Sequence, residues 1–221
     1  MSKENSIRTI CSQYLGGESN ELWKKILFEL LPNRPQPLLC HENTILSAAA
    51  IWAYLKIWKD EFRKHANQSK KSIVISLEPS PEWVIVFLAA LWENFSIFMI
   101  PPENINDQFP IQPWAIVSKN LEIANWTINS DLKPNAKKPL PINYQVFNEV
   151  RIAFYSDRKE NKSVCKFTDQ ELAKMINKEI SDKSMLDVKQ NMNWNEPNGF
   201  IHNFLIPFVS SAEIFFPFRN K

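Results

Sequence analysis

At 221 residues, with 44% hydrophobic and 23% charged side chains, the chain is long enough to bury a substantial core, and its composition excludes a disordered or fibrous chain. Its 26 Lys and Arg against 24 Asp and Glu leave a formal balance of +2, too small for a nucleic-acid groove or a site on an anionic membrane. Three widely spaced cysteines, Cys11, Cys40 and Cys165, exclude a disulfide framework and a CxxC metal site and fit a reducing, cytoplasmic setting.

The start Met1-Ser2-Lys3-Glu4-Asn5 is polar and lacks the pattern of a signal peptide. The most apolar stretch, residues 83–92, falls short of the ~20 residues that span a bilayer, so it reads as a buried core helix and no membrane contact is expected. Only three Gly, at positions 16, 17 and 199, stand against 15 Pro, so few sites take positive φ easily, which limits the ligand loops the chain can build. The pairs Lys70-Lys71 and Lys137-Lys138 read as solvated, and no nucleic-acid partner is expected.

Residues 20–31 carry Leu22, Trp23, Ile26, Leu27, Leu30 and Leu31 at amphipathic-helix spacing, and Pro32, Pro35 and Pro37 then force an extended connection. Residues 1–37 thus read as an N-terminal piece ahead of an α/β domain over residues 38–221. A second helix is expected over 44–62, burying Ile45, Ala48, Ala49, Trp52, Leu55 and Phe62. The run 72–77 is apolar and strand-like; Ser80 then offers an N-cap and Pro81 a first helical residue, for a helix over 81–95. A second apolar run, 96–100, stops at Pro101-Pro102. Strand, helix and strand at this spacing read as a βαβ unit in a sheet buried on both faces.

Short strands are expected at 114–118 and 126–128, a Pro- and Lys-rich linker or surface loop at 129–143, and a strand restarting at 150–156. Thr168-Asp169-Gln170-Glu171 is a capping box that opens a helix running to about residue 180. Residues 185–192 and 212–216 complete the strand candidates, around a helix at 200–209. The alternation specifies an α/β fold, a doubly wound, mostly parallel sheet with flanking helices.

Arg151-Ile152-Ala153-Phe154-Tyr155-Ser156, a loop at 157–163, Val164-Cys165-Lys166-Phe167-Thr168, the capped helix, and the turn Asn193-Trp194-Asn195-Glu196-Pro197-Asn198-Gly199 follow one another at telling lengths. In layout this resembles the N-terminal part of the adenylate-forming acyl- and aryl-CoA ligases, with the compact o-succinylbenzoate-CoA ligases the most similar. The resemblance runs from about residue 40 onward, whereas family members are about twice as long. It implies an incomplete adenylate-forming N-terminal domain, with Ser156, Lys159, Lys162 and Ser163 at the nucleotide-binding loop and Glu196 and Gly199 at the substrate-binding turn. The loop departs from the pattern. Asp157-Arg158-Lys159-Glu160-Asn161-Lys162-Ser163 has no Gly to turn backbone amides onto phosphates, and Asp157 and Glu160 would repel them.

Other chemistry finds no support. Cys40 and His41 are adjacent, so on an extended segment they point to opposite sides. No GxSxG elbow exists, and His41, His65 and His202 are too scattered for a metal site. The helical Trp23, Trp52, Trp83 and Trp92 read as core filling. Trp114, Trp126 and Trp194, near strand ends or turns, read as core residues first and pocket walls second.

Three functional readings follow. The first is a degenerate ligase-like domain without ATP-dependent activity and without cofactor, acting as remnant, scaffold or binding domain. The second is the N-terminal part of an o-succinylbenzoate-CoA-type ligase that forms acyl-adenylate and thioester with Mg-ATP and CoA and needs a second chain. The third is an unrelated α/β protein-interaction module. A protein partner or self-association is expected through a C-terminal apolar edge at Phe215, Phe216 and Phe218.

Overall fold

Short apolar runs broken by Ser, Pro and Asn set the order of elements. The computed structural model describes these for residues 23, 27, 39–41, 44–64, 71–105, 111–139, 146, 147, 149–158, 161–181, 194–210, 214 and 215. The chain divides into two compact units, Met1–Trp52 with Phe167–Lys221, and Ala53–Lys166.

Trp23 and Leu27, expected on the apolar face of the first helix, are helical and buried. Strand β1 (Leu39–His41) pairs antiparallel with β2 (Thr44–Leu46). The helix expected from Thr44 therefore begins later, as α1 (Ala48–Lys64). The β-branched Thr44 and Ile45 suit a strand, and Ser47 caps the helix, its Oγ accepting from the Ala50 amide at 3.2 Å. The buried stripe of α1 is Ala48, Ile51, Leu55, Trp58 and Phe62, while Ala49 is exposed and Trp52 half-buried.

The βαβ unit forms as the residues dictate: β3 (Ser72–Ser76), α2 (Pro81–Trp92) and β4 (Ser96–Met99), with β3 and β4 parallel. Ser80 Oγ accepts from the Trp83 amide at 3.2 Å and Pro81 opens the helix. From Trp83 to Leu91 every residue of α2 is buried, as a helix apolar on all sides requires. A 3₁₀ turn (Pro102–Asn104) follows, then β5 (Ala115–Ser118) and β6 (Trp126–Ile128).

Within the expected loop at 129–143 the chain forms a further strand, β7 (Pro134–Ala136), antiparallel to β6. Pro134 is tolerated because β7 is the edge strand and Pro stands first in it. Next come β8 (Ile152–Arg158) and β9 (Asn161–Phe167). The seven-stranded sheet has the order β7-β6-β5-β3-β4-β8-β9 and is mostly parallel, the α/β architecture that the alternation specifies. The order reverses at β3, which has β4 on one side and β5 on the other.

In the other unit, α3 (Asp169–Ser181) starts at the expected capping box. Glu171 N–H donates to Thr168 Oγ1 at 3.1 Å, and Thr168 N–H donates to Glu171 Oε2 at 2.8 Å. Trp23 Nε1 donates to Asp169 Oδ1 at 2.7 Å. Helix α4 (Pro197–Phe200), a π-helical segment (Ile201–Leu205) and α5 (Ile206–Ser210) fill the helix expected at 200–209, and β10 (Ile214–Phe215) ends the described chain. In the three-stranded sheet β10-β1-β2, β10 pairs parallel with β1, Phe215 opposite Cys40. Phe216, Phe218 and the strand candidate at 185–192 lie outside the described residues.

Lys71 is not the solvated residue that its neighbourhood suggests. It is 2% exposed, with its ammonium 4.2 Å from the centre of the Trp114 ring, and burial lowers its pKa from the ordinary lysine value. Trp114, Trp126 and Trp194 are all buried core residues. Among the described residues, no helix is long and apolar enough to cross a membrane.

Candidate functional site

The segment expected as a nucleotide loop, residues 157–163, is strand at both ends. β8 continues through Asp157 to Arg158, and β9 begins at Asn161. No Gly or Pro interrupts the chain between Ser156 and Ser163, so nothing in the sequence stops the strands from extending. β8 and β9 are neighbours in the sheet, and two intervening residues are enough only for an antiparallel hairpin. Ser156 lies in β8 and Lys162 and Ser163 in β9, while Lys159 lies outside the described residues.

The same hairpin forms one wall of a cavity that single-strand patterns do not reveal. Register places Val74 beside Phe98 and Ile116, and Phe98 beside Ala153, so these side chains share one face of the sheet. One pleat further, at the carboxyl ends, Ile100 and Tyr155 continue that face. Val74, Phe98, Ile100, Ala153 and Tyr155 form a buried cluster, against which Ile105, Ile111, Phe147 and Val150 pack from the connecting segments. Ser96 Oγ, 2.8 Å from Phe147 O and 2.7 Å from Val150 O, ties this cover to the sheet. A cavity of about 200 Å³ remains between Phe98, Ile100, Ile111, Phe147, Tyr155 and Val164, with Lys166 as its charged lining residue.

Ser76 lies on that face too, opposite Ser118 and next to the Ile100 row, and is 1% exposed. Its Oγ is buried with no hydrogen-bond partner among the described residues. A buried hydroxyl without a partner costs about 1 to 3 kcal/mol. Ser76→Ala is therefore expected to leave stability unchanged or raise it by about 1 kcal/mol in urea denaturation; a loss beyond that would show the hydroxyl to be engaged.

The second pair of expected site residues lies in the other unit. Glu196 is exposed and stands at the N-cap of α4 without a side-chain capping bond; its carbonyl accepts from the Phe200 amide at 2.9 Å. Gly199 is buried inside that helical turn and has no positive φ, so its place reflects the lack of a side chain rather than unusual backbone. His202 lies in the π-helical segment, the backbone of His41 lies in β1, and His65 is outside the described residues. Among the described residues no three His, Cys, Asp or Glu side chains gather as metal ligands.

No family model and no curated protein matches the sequence. Solved structures match the fold. MatB from Rhodopseudomonas palustris superposes with a TM-score of 0.63 at 11% identity, over 90% of this chain and 45% of that one. The anthranilate CoA ligase AuaEII, in complex with anthranoyl-AMP, gives 0.62 at 11% identity, over 89% and 45%. The o-succinylbenzoate CoA synthetase MenE from Bacillus subtilis, in complex with the acyl-adenylate OSB-AMP, gives 0.61 at 11% identity, over 86% and 55%. This chain spans about half the length of each of these proteins. It has the fold of the adenylate-forming acyl- and aryl-CoA ligases, over an extent that corresponds to their N-terminal portions.

Proposed function

We propose that this chain is a ligase-like binding domain without ATP-dependent chemistry. The observation that supports this is the hairpin. A phosphate cradle needs several consecutive amides turned inward, which Gly permits, whereas successive amides of an extended strand point in opposite directions. Here Asp157, Arg158 and residues 161–163 have strand backbone, and no Gly occurs between Ser156 and Ser163. Asp157 and Glu160 add charge of the wrong sign for a nucleotide. Glu196, exposed at a helix N-cap, offers a third carboxylate where the resemblance places an acyl-pocket residue.

A second reading, half of a working ligase that forms acyl-adenylate and thioester with Mg-ATP and CoA, draws on the AMP derivatives held by AuaEII and MenE. Thermal unfolding with Mg-ATP, AMP and CoA separates the two. A ligand at 100 times its dissociation constant stabilises by about 2.7 kcal/mol, or about 2 to 4 °C in a chain of this size. At millimolar nucleotide the midpoint is expected to stay where it is. A rise of that size with ATP or AMP would reverse the proposal and direct attention to a complementing chain.

A further inference from the structure

The seven-stranded sheet has two edges, and they differ in kind. At one, β7 (Pro134–Ala136) is three residues long, opens on Pro134 and is flanked by the exposed Lys133, Lys137 and Lys138. Short length, Pro and Lys are the devices that keep a sheet edge from pairing with another chain. At the other, β9 (Asn161–Phe167) runs seven residues without Pro or Gly. Val164, Cys165 and Lys166 are exposed at consecutive positions, so neither face of the strand is covered there.

The hairpin fixes which backbone groups that edge presents. A turn of two residues closes on a bond between the flanking strand ends, here Arg158 of β8 and Asn161 of β9. Along an antiparallel pair the bonded positions alternate. Counting from Asn161, Cys165 turns its amide and carbonyl toward β8, and Val164 and Lys166 turn theirs outward. Among the described residues no group bonds to those outward amides and carbonyls. Val164 and Lys166 share the face of the sheet that holds Tyr155, and Cys165 takes the other, its thiol exposed.

The strand is its own complement. A twofold axis sets two copies of one edge antiparallel. Centred on Val164, the axis would place Lys162 opposite Lys166 of the second copy, and like charges directly opposite repel. Centred on Cys165, the middle of the exposed stretch, it pairs each Val164 with Lys166 of the second copy as hydrogen-bonded positions and sets the two Cys165 residues opposite each other. Residues facing at the non-bonded positions stand about 4.5 Å apart between Cα atoms, within the range of about 4.4 to 6.8 Å that a disulfide spans.

We propose that the β9 edge is a dimer interface, two copies of this chain pairing antiparallel about Cys165. The contact is small, so a dissociation constant on the order of 100 μM is expected. Sedimentation of the full chain from micromolar to millimolar concentration measures it. With Cys11→Ser and Cys40→Ser in place, diamide then takes two electrons and two protons from the two Cys165 thiols, is reduced to the hydrazine, and leaves a disulfide-linked dimer on a non-reducing gel. Val164→Pro removes an outward donor without breaking a bond to β8, and should abolish dimer and cross-link while the circular dichroism spectrum stays native. Val164→Glu sets a carboxylate opposite each Lys166 and should tighten the dimer about fivefold, and Val164→Lys should weaken it about fivefold. These two variants, at an exposed position, keep the test decisive if Pro unfolds the hairpin. A chain that stays monomeric throughout, a dimer that diamide does not link through Cys165, a dimer insensitive to a folded Val164→Pro, or Glu and Lys variants that shift the constant in the same direction would each overturn the assignment. None of these outcomes depends on whether nucleotide binds.

Discussion

Replacing Phe62 with Ala is expected to cost about 4 kcal/mol, among the largest losses a single side chain of this protein can produce. Phe62 is fully buried at the end of α1, and its ring stands 5.1 Å from Phe95, 5.6 Å from Trp58, 5.6 Å from Trp126 and 6.4 Å from Trp114. Truncation removes the transfer energy of a phenyl ring and leaves a cavity among four rigid rings that cannot close on it. Phe62→Leu keeps most of the volume and should cost about 1.5 kcal/mol. Ile57, on the exposed side of the same helix, provides the control: Ile57→Ala should stay within about 0.5 kcal/mol. Urea denaturation followed by Trp emission measures all three. A loss for Phe62→Ala no larger than that for Phe62→Leu would mean the cluster relaxes into the space and is not the rigid core described.

The features of this fold that were legible in the sequence are those whose chemistry closes within a few residues. Ser80 before Pro81, and Thr168 three residues before Glu171, announce helix starts because donor and acceptor lie on the same turn, and both sets of bonds form. The βαβ unit was legible for a related reason, since two apolar runs flank a helix apolar on every side. Thr44–Leu46 was not, because Ile45, Ala48 and Ala49 also fit helical spacing. What makes it a strand is its partner Leu39–His41 together with the Ser47 cap. Pro134–Ala136 was hidden by its composition, which an edge strand tolerates and a central strand does not.

The site residues divide along the same line. A missing Gly in residues 157–163 was visible in the sequence and argued against a phosphate cradle, but the strand backbone of Asp157, Arg158 and residues 161–163 depends on sheet pairing. The cavity could not be read at all. It gathers Phe98 from β4, Tyr155 from β8, Lys166 from β9 and Phe147 from a connecting segment, and only the register of several strands brings them to one face.

Arg151→Ala is the second substitution expected to be severe, at about 3 kcal/mol or more. Arg151 is 2% exposed at the entry to β8, the strand that carries Tyr155. Its Nη1 donates to Phe95 O at 3.2 Å and its Nη2 to Asn94 Oδ1, so one guanidinium holds two of the three residues between α2 and β4. Asn94 has φ of 63°, a left-handed conformation that costs energy for any residue with a side chain. The Arg151 backbone joins in, its carbonyl accepting from the Ile97 amide at 2.8 Å where the β4 and β8 pairing begins. Without the guanidinium, the buried Phe95 carbonyl and the half-buried Asn94 amide oxygen lose a donor, and a turn with a left-handed residue loses its clamp. Lysine cannot rescue the site, because a single ammonium does not reproduce a planar fork that reaches two acceptors at once. A double-mutant cycle with Asn94→Ala isolates the contact and should return a coupling of about 1 to 3 kcal/mol. Strict additivity would show that Arg151 acts by filling volume, and Arg151→Met would then restore most of the loss.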